Sequence, residues 1–282
     1  MTKFIAEVCS NHNRNLKRCI SFIDTAANIN CYSIKFQLFK IDKLFSPEIL
    51  KKSKKHRDRM KWELPEEFIP NIADRCFKKK IKFSCTPFYL DAVKKLKDYV
   101  DFFKISSYDI LRNDLLEACA KTKKPVIIST GMASFKEIKN AYNCLKKANC
   151  KKITILHCVS NYPTDIQNCN LGTIKKIKDK FKCNVGWSDH TKNYEILLRT
   201  INKWKVDAIE FHLDLDGKGN EFNMKHCWLP SEILPVIRFA NGPYFYDKVK
   251  SDRFNKNEQI EKNWRSDPSD GLRPLKKLRS KI

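Results

Sequence analysis

Eight short runs rich in β-branched and aromatic residues alternate along this chain with longer segments of helical period, and this alternation restricts the fold more than any other feature. The strand-like runs are Phe4–Ser10, Ser33–Phe39, Lys82–Phe88, Phe102–Ser107, Pro125–Gly131, Ile153–Val159, Asn184–His190 and Asp207–Leu215. Helical periodicity falls on Leu16–Ala27, Glu66–Lys79, Leu90–Lys97, Asn113–Lys121, Phe135–Lys147, Leu171–Lys180, Tyr194–Asn202 and Ser231–Phe239. Eight strand–helix units predict an α/β fold, a (β/α)₈ barrel of the TIM type. A doubly wound open sheet would also alternate, but it carries a glycine-rich turn after its first strand. Here that turn reads Cys9-Ser10-Asn11-His12-Asn13-Arg14-Asn15, without a glycine.

Two stretches stand outside the repeat. Lys40–Leu64 is a basic insertion after the second strand, read as a loop with one helical turn or more. Residues 241–282 form a polar tail too short for a second core of its own, so a single barrel over residues 1–240 is expected. The tail is expected to pack on the barrel or on a neighbouring subunit.

The chain has 282 residues and no apolar run of transmembrane length, and its first residues enter a strand pattern without the apolar core of a signal peptide. The expectation is a cytoplasmic protein with no membrane partner. The 12 cysteines include no Cys-x-x-Cys pair, and several sit inside apolar runs, as reduced structural thiols would. A formal charge of +24, with 44 Lys and 12 Arg spread along the chain, favours anionic ligands. The densest basic stretches, Lys51–Arg59, Lys78–Lys82 and Leu272–Ile282, lack interleaved aromatics for base stacking, which argues against nucleic acid and for a small phosphorylated substrate.

In such a barrel the chemistry sits at the C-terminal ends of the strands. Those ends carry Glu7 with Asn11 and His12, Lys35 and Gln37, Ser84 and Thr86, and Lys104, Ser107 and Asp109. After them come Ser129 and Thr130, then His157, Ser160, Asn161 and Tyr162, then Ser188 to Thr191, and last Glu210, His212, Asp214 and Asp216. Lys35 and Lys104 lie in apolar strands, where an ammonium group is costly to bury without an anion; a phosphate or carboxylate ligand would supply one. His190 and His212 end adjacent strands beside Asp189 and Glu210 and could share a divalent metal; a lone histidine is better explained by packing, whereas for this pair the two readings weigh equally.

The segments Ile5-Ala6-Glu7-Val8, Ile34-Lys35-Phe36-Gln37, Phe83 to Phe88, Phe103-Lys104-Ile105, Ser129-Thr130-Gly131-Met132, Leu156 to Ser160 with Tyr162-Pro163, Gly186 to Thr191, and Glu210-Phe211-His212 resemble the sialic acid synthase family. They occur in family order over about residues 4–230. The resemblance implies a (β/α)₈ barrel and an N-acetylneuraminate synthase-like transferase. Such an enzyme condenses phosphoenolpyruvate with an N-acetylated hexosamine to give a nonulosonic acid of the sialic, legionaminic or pseudaminic type for surface glycans. It further implies that Thr86, Ser107, Ser160, Tyr162 and Ser188 hold phosphoenolpyruvate with Lys35 and Lys104. His190 and His212 would bind a divalent metal, Mn²⁺ or Mg²⁺, while Glu7, Gln37 and Asp109 would face the reacting centre or the sugar.

The sequence departs from the family in two places. Many members carry a C-terminal antifreeze-like domain that reaches over the partner subunit's barrel and supplies an arginine to the sugar. Here the chain ends in Trp264-Arg265-Ser266-Asp267-Pro268-Ser269-Asp270-Gly271-Leu272-Arg273-Pro274, and Arg265 or Arg273 is expected to take that arginine's place. The segment after His212 lacks the family's Pro-Gly-Pro-Asp loop, leaving Glu221 as the candidate for its acidic part. A homodimer is left open, as are two other readings: another phosphoenolpyruvate/aldose ulosonic acid synthase, and a non-catalytic sugar- or phosphate-binding relative.

Overall fold

A computed structural model describes residues 1–242, 258–279 and 281. Eight parallel strands close into a barrel in sequence order: β1 Lys3–Glu7, β2 Ser33–Leu38, β3 Lys82–Pro87, β4 Phe102–Ile105, β5 Val126–Ser129, β6 Ile153–Cys158, β7 Asn184–Asp189 and β8 Ala208–His212. One principal helix follows each: α1 Leu16–Asn28, α2 Ile69–Lys78, α3 Leu90–Leu96, α4 Asn113–Lys121, α5 Phe135–Lys147, α6 Gly172–Phe181, α7 Tyr194–Asn202 and α8 Pro230–Asn241. The helices start where side chains satisfy free backbone donors. Asn15 accepts from Arg18 N–H ahead of α1, and Ser134 with Glu137 forms a capping box on α5.

Each strand has two buried faces with different partners, because successive side chains alternate. Phe4, Ile34, Phe36, Phe83, Phe103, Val126, Ile155, Trp187, Ile209 and Phe211 point outward and pack with the inner faces of the helices in one continuous apolar layer. Burying each large ring there contributes about 2–3 kcal/mol. The alternate residues point into the barrel. Ile5, Phe102, Ile127, Leu156 and Ala208 form a separate apolar plug at its base. Above the plug, toward the strand C-termini, stand Glu7, Lys35, Ser84, Lys104, Ser129, Cys158, Ser188 and Glu210, one from each strand and all buried. The plug thus forms a dry floor beneath polar residues that open toward the strand C-termini.

The insertion after β2 holds several helical turns, within the expected one or more. Short α-helices at Ile41–Leu44, Pro47–Lys52 and Lys54–Arg57 lead into a 3₁₀ segment at Asp58–Trp62. Glu63 closes it, accepting from Ile41 N–H at 2.7 Å, and Arg14 of the β1–α1 loop donates to the carbonyls of Met60 and Glu63. The insertion is therefore fastened to the rim beside β1.

The chain divides into two compact units, Met1–Asn241 and Gly242–Ile282. Within the second, Asp267 accepts from Ser269 and from Lys276 N–H, and Arg279 pairs with Asp270 at 2.5 Å. All twelve cysteines are free thiols. Among the described residues, no helix is long and apolar enough to cross a membrane.

Candidate active site

The polar ring above the plug is organised around Glu210. Its carboxylate lies 3.5 Å from Lys104 Nζ and 4.0 Å from Lys35 Nζ, and it accepts from Ser188 Oγ at 3.2 Å. Burial by itself pushes the Glu210 carboxyl up, but the two ammonium groups and the nearby histidines outweigh it and hold the group down to about 2. Lys35 also touches Glu7 and donates to Thr86 Oγ1 at 3.2 Å. Burial draws its ammonium down to about 8, against the opposing pull of Glu210. An added anion would favour the charged form of Lys35, so this floor is suited to binding one.

Hydroxyl groups surround the lysines. Gly131 N–H donates to Ser107 Oγ at 3.0 Å, and Ser107 Oγ sits 3.1 Å from Cys158 Sγ. Ser129 Oγ and Ser160 Oγ are buried without a hydrogen-bond partner. Buried hydroxyls are normally paired, so these two orphans mark positions where a ligand oxygen would fit. Gly131 keeps the cradle open, since a Cβ there would collide with Ser160 Oγ and crowd Cys158 and Ser107.

Beside this ring stands a second group built on the ends of β7 and β8. The His190 and His212 rings are 5.3 Å apart, and the His212 and His226 rings 4.4 Å apart. His190 Nδ1 is committed to the Val159 carbonyl at 2.7 Å, which leaves Nε2 for another partner. Burial holds His190 down to about 3 and His212 down to about 4, so both imidazoles are neutral and able to act as ligands. Donor atoms of His212, Glu221, His226 and Cys227 all lie within 4.8 Å of one another. Tyr162 packs against three of these rings, 4.1 Å from that of His190.

The loops after β1 and β8 place Glu221. Its Oε1 accepts from Cys9 Sγ at 2.7 Å and Ser10 Oγ at 2.9 Å, and its backbone N–H donates to Asn11 Oδ1 at 2.8 Å. Oε2 is left facing His212 Nδ1 at 3.5 Å and His226 Nε2 at 3.7 Å. Burial raises this carboxyl, yet hydrogen bonds from the two histidines hold it well below the usual carboxylate range. Arg18 of α1 ties the same loops together, donating to the Asn11 carbonyl and pairing with Asp214 and Asp216 at 2.8 Å.

The barrel thus gathers Glu7, Lys35, Thr86, Lys104, Ser107, Ser160, Ser188, His190, His212 and Glu221 within or beside one polar bowl. Gln37 stands at its edge, 3.5 Å from Glu7 Oε1. Asp109 is turned toward its own loop, where Ser106 Oγ donates to it at 2.5 Å; burial raises its carboxyl. His157 faces the other way, into the helix–strand layer, bonded to the Cys169 carbonyl. Asp189 also points outward, accepting from Trp187 Nε1, Trp228 Nε1 and Thr191, and so braces the turn that carries His190. Arg265 and Arg273 belong to the second unit, where they line a cavity of about 480 Å³ with Glu261 and Trp264. His226 and the anchoring role of Asn11 are absent from the residues singled out by sequence. The one signal for His226 was its place in a polar loop five residues after Glu221.

A family model described as the NeuB family matches residues 22–241. The chain is 37% identical over 219 residues to an uncharacterized protein of Methanocaldococcus jannaschii, covering 76% of this chain and 63% of that protein's length. It is 35% identical over 275 residues to the N,N'-diacetyllegionaminic acid synthase of Campylobacter jejuni, covering 91% of this chain and 82% of that one. Among solved structures, the N-acetylneuraminic acid (sialic acid) synthetase of Leptospira borgpetersenii serovar Hardjo-bovis, in complex with citrate, superposes with a TM-score of 0.78. It is 30% identical and covers 92% of this chain and 90% of that chain.

Proposed function

The chain belongs to the NeuB family, and from that membership we propose that it joins phosphoenolpyruvate to an N-acetylated amino sugar, giving a nonulosonic acid and phosphate. The observation that carries this reading is the pair of buried lysines, Lys35 and Lys104, both against Glu210 and ringed by hydroxyls of which two are unpaired. In this reading Lys35 and Lys104 hold the phosphate and carboxylate of phosphoenolpyruvate, while Thr86, Ser107, Ser160, Tyr162 and Ser188 orient its oxygens. Such preorganised donors stabilise charge as it moves during reaction, often the largest catalytic contribution.

The donor set beside the ring fits a divalent metal: the buried imidazoles of His190 and His212, from the ends of β7 and β8, stand together with the Glu221 carboxylate. His190 and His212 would hold the ion. What an ion supplies when bound there is Lewis-acid polarisation of a carbonyl oxygen. The bowl's residues hold the phosphoenolpyruvate methylene carbon against the sugar's aldehyde carbon, where the new C–C bond forms. Glu7, fixed by Cys9 N–H at 2.6 Å and by contact with Lys35, positions the water that adds to the enol carbon. The resulting tetrahedral centre expels phosphate by C–O cleavage, and Lys35 and Lys104 accompany the leaving charge. Gln37 is assigned to the sugar side.

Phosphate release from phosphoenolpyruvate, measured with Mn²⁺ against N-acetylmannosamine, its 6-deoxy diacetamido relatives and simple aldose phosphates, tests the reading. Release that requires one N-acetylated sugar and stops with EDTA supports it. Release with aldose phosphates alone would replace it with another ulosonic acid synthase, and phosphoenolpyruvate binding without release would leave a binding relative.

A further inference from the structure

We infer that the end of the barrel opposite the bowl is a docking face for an anionic lipid bilayer, built from lysines of the helix-to-strand loops and exposed aromatic side chains. The inference does not depend on the reaction assigned to the bowl. It also needs no spanning helix, since a protein can lie on a charged membrane by electrostatic attraction and shallow insertion.

Charge is divided unevenly between the two ends of the barrel. The seven loops that lead from a helix into the next strand lie at the N-terminal ends of the strands. They hold 28 residues, of which ten are lysine and three aspartate. The strand-to-helix loops around the bowl, apart from the insertion after β2, hold 56 residues and balance five Lys or Arg against five Asp or Glu. A lysine-rich composition by itself would load both ends alike. Eight of the ten lysines are exposed, and among the described residues only Lys79 is ion-paired, with Asp24 at 3.5 Å. Two of the three aspartates are already engaged: Asp101 pairs with Lys82, and Asp207 accepts from Val185 N–H. The unpaired cations follow the ring of strands, with Lys80 ahead of β3, Lys123 ahead of β5, Lys151 ahead of β6, Lys182 ahead of β7 and Lys205 ahead of β8.

This pattern matches a broad anionic plane better than a nucleic acid. Charges set around a ring face a surface, whereas a polynucleotide is tracked along a groove. None of the 28 loop residues is arginine, whose planar fork suits individual phosphates; lysine acts as a point charge in a diffuse field. Phe77, next to last in α2, is 84% exposed beside Lys78, and Tyr32 and Tyr99 are exposed in the loops ahead of β2 and β4. Aromatic rings among lysines are the residue types that settle at a membrane–water interface. Docking by this end leaves the bowl facing away from the membrane.

Flotation of the full chain with vesicles of phosphatidylcholine, with and without phosphatidylglycerol, tests the inference. The expected result is binding to the anionic vesicles at low salt, none to the neutral ones, and release at ~0.5 M salt, where screening is nearly complete. Combining Lys123→Gln, Lys151→Gln and Lys182→Gln should weaken binding ~100-fold, at roughly 5-fold per lysine near an anionic surface. Phe77→Ser should weaken it several-fold with the charge unchanged. Combining Lys51→Gln, Lys54→Gln and Lys55→Gln, in the basic insertion at the other end, should leave it within a few-fold of wild type. All these side chains lie outside the bowl, so phosphate release is expected at its wild-type rate and the two readings fail separately. Circular dichroism checks that each variant is folded. Absence of binding to anionic vesicles, wild-type binding in the folded Lys123/Lys151/Lys182 variant, or loss of binding in the insertion variant would overturn the inference. Tighter binding to a duplex oligonucleotide, lost in the Lys123/Lys151/Lys182 variant, would also overturn it and give the face to nucleic acid.

Discussion

Asn11 holds Glu221 by the backbone: the Glu221 N–H donates to Asn11 Oδ1 at 2.8 Å while Asn11 Nδ2 donates to the Leu213 carbonyl at 3.1 Å. One fully buried amide thereby spans the loops after β1 and β8, 210 residues apart in sequence. Asn11→Ala would strand a buried donor and a buried acceptor, each costing about 1–3 kcal/mol. We expect a stability loss of about 2–4 kcal/mol and a Tm lower by roughly 5–10 °C. Scanning calorimetry checks this; a variant with wild-type Tm would remove Asn11 from the account.

Lys35 sets a limit on alkaline function. Burial holds its ammonium down to about 8 in the ligand-free protein, so it loses its proton as pH rises through that value. Phosphoenolpyruvate should bind with near-constant affinity at pH 7 and below, then progressively more weakly above pH 8, as the cation facing it disappears. Titration calorimetry at pH 7, 8 and 9 measures this, and affinity that rises with pH would contradict the assigned role. Lys104→Met should weaken binding at every pH by ~100-fold or more, since it leaves Glu210 short of a buried cation.

Acid should destabilise the fold before the carboxylates titrate. Burial lowers His12 from its ordinary value to about 4 and lowers His157 as well. Between about pH 6.5 and 4 the unfolded chain therefore binds protons that the folded chain refuses, and stability falls as pH drops through that window. His12 accounts for about 3 kcal/mol of this at most. His12→Asn keeps an acceptor for Arg14 N–H and should flatten the decline in urea unfolding between pH 6.5 and 4. An unchanged slope would show that His12 does not titrate as described.

The barrel was legible because alternating strand and helix periods follow directly from which faces must be buried. Lys35 and Lys104 also announced themselves, since ammonium groups inside apolar strands need an explanation. His226 did not. It lies on an irregular loop whose position is set by Asn11, Arg18, Asp214 and Ser10, and such long-range hydrogen bonds leave no periodic trace. His157 shows the converse. Its place at a strand end looks functional, but its parity along β6 turns it into the helix–strand layer. The basic insertion gave composition without shape, because its short helices depend on closure by Glu63 and Arg14.

The most direct test of the proposed condensation follows oxygen. With the accepted sugar and phosphoenolpyruvate in H₂¹⁸O, C–O cleavage predicts a nine-carbon acid product and released phosphate free of ¹⁸O, because solvent attacks carbon. Phosphate carrying one ¹⁸O, with pyruvate in place of the nine-carbon acid, would mean hydrolysis at phosphorus and would contradict the account.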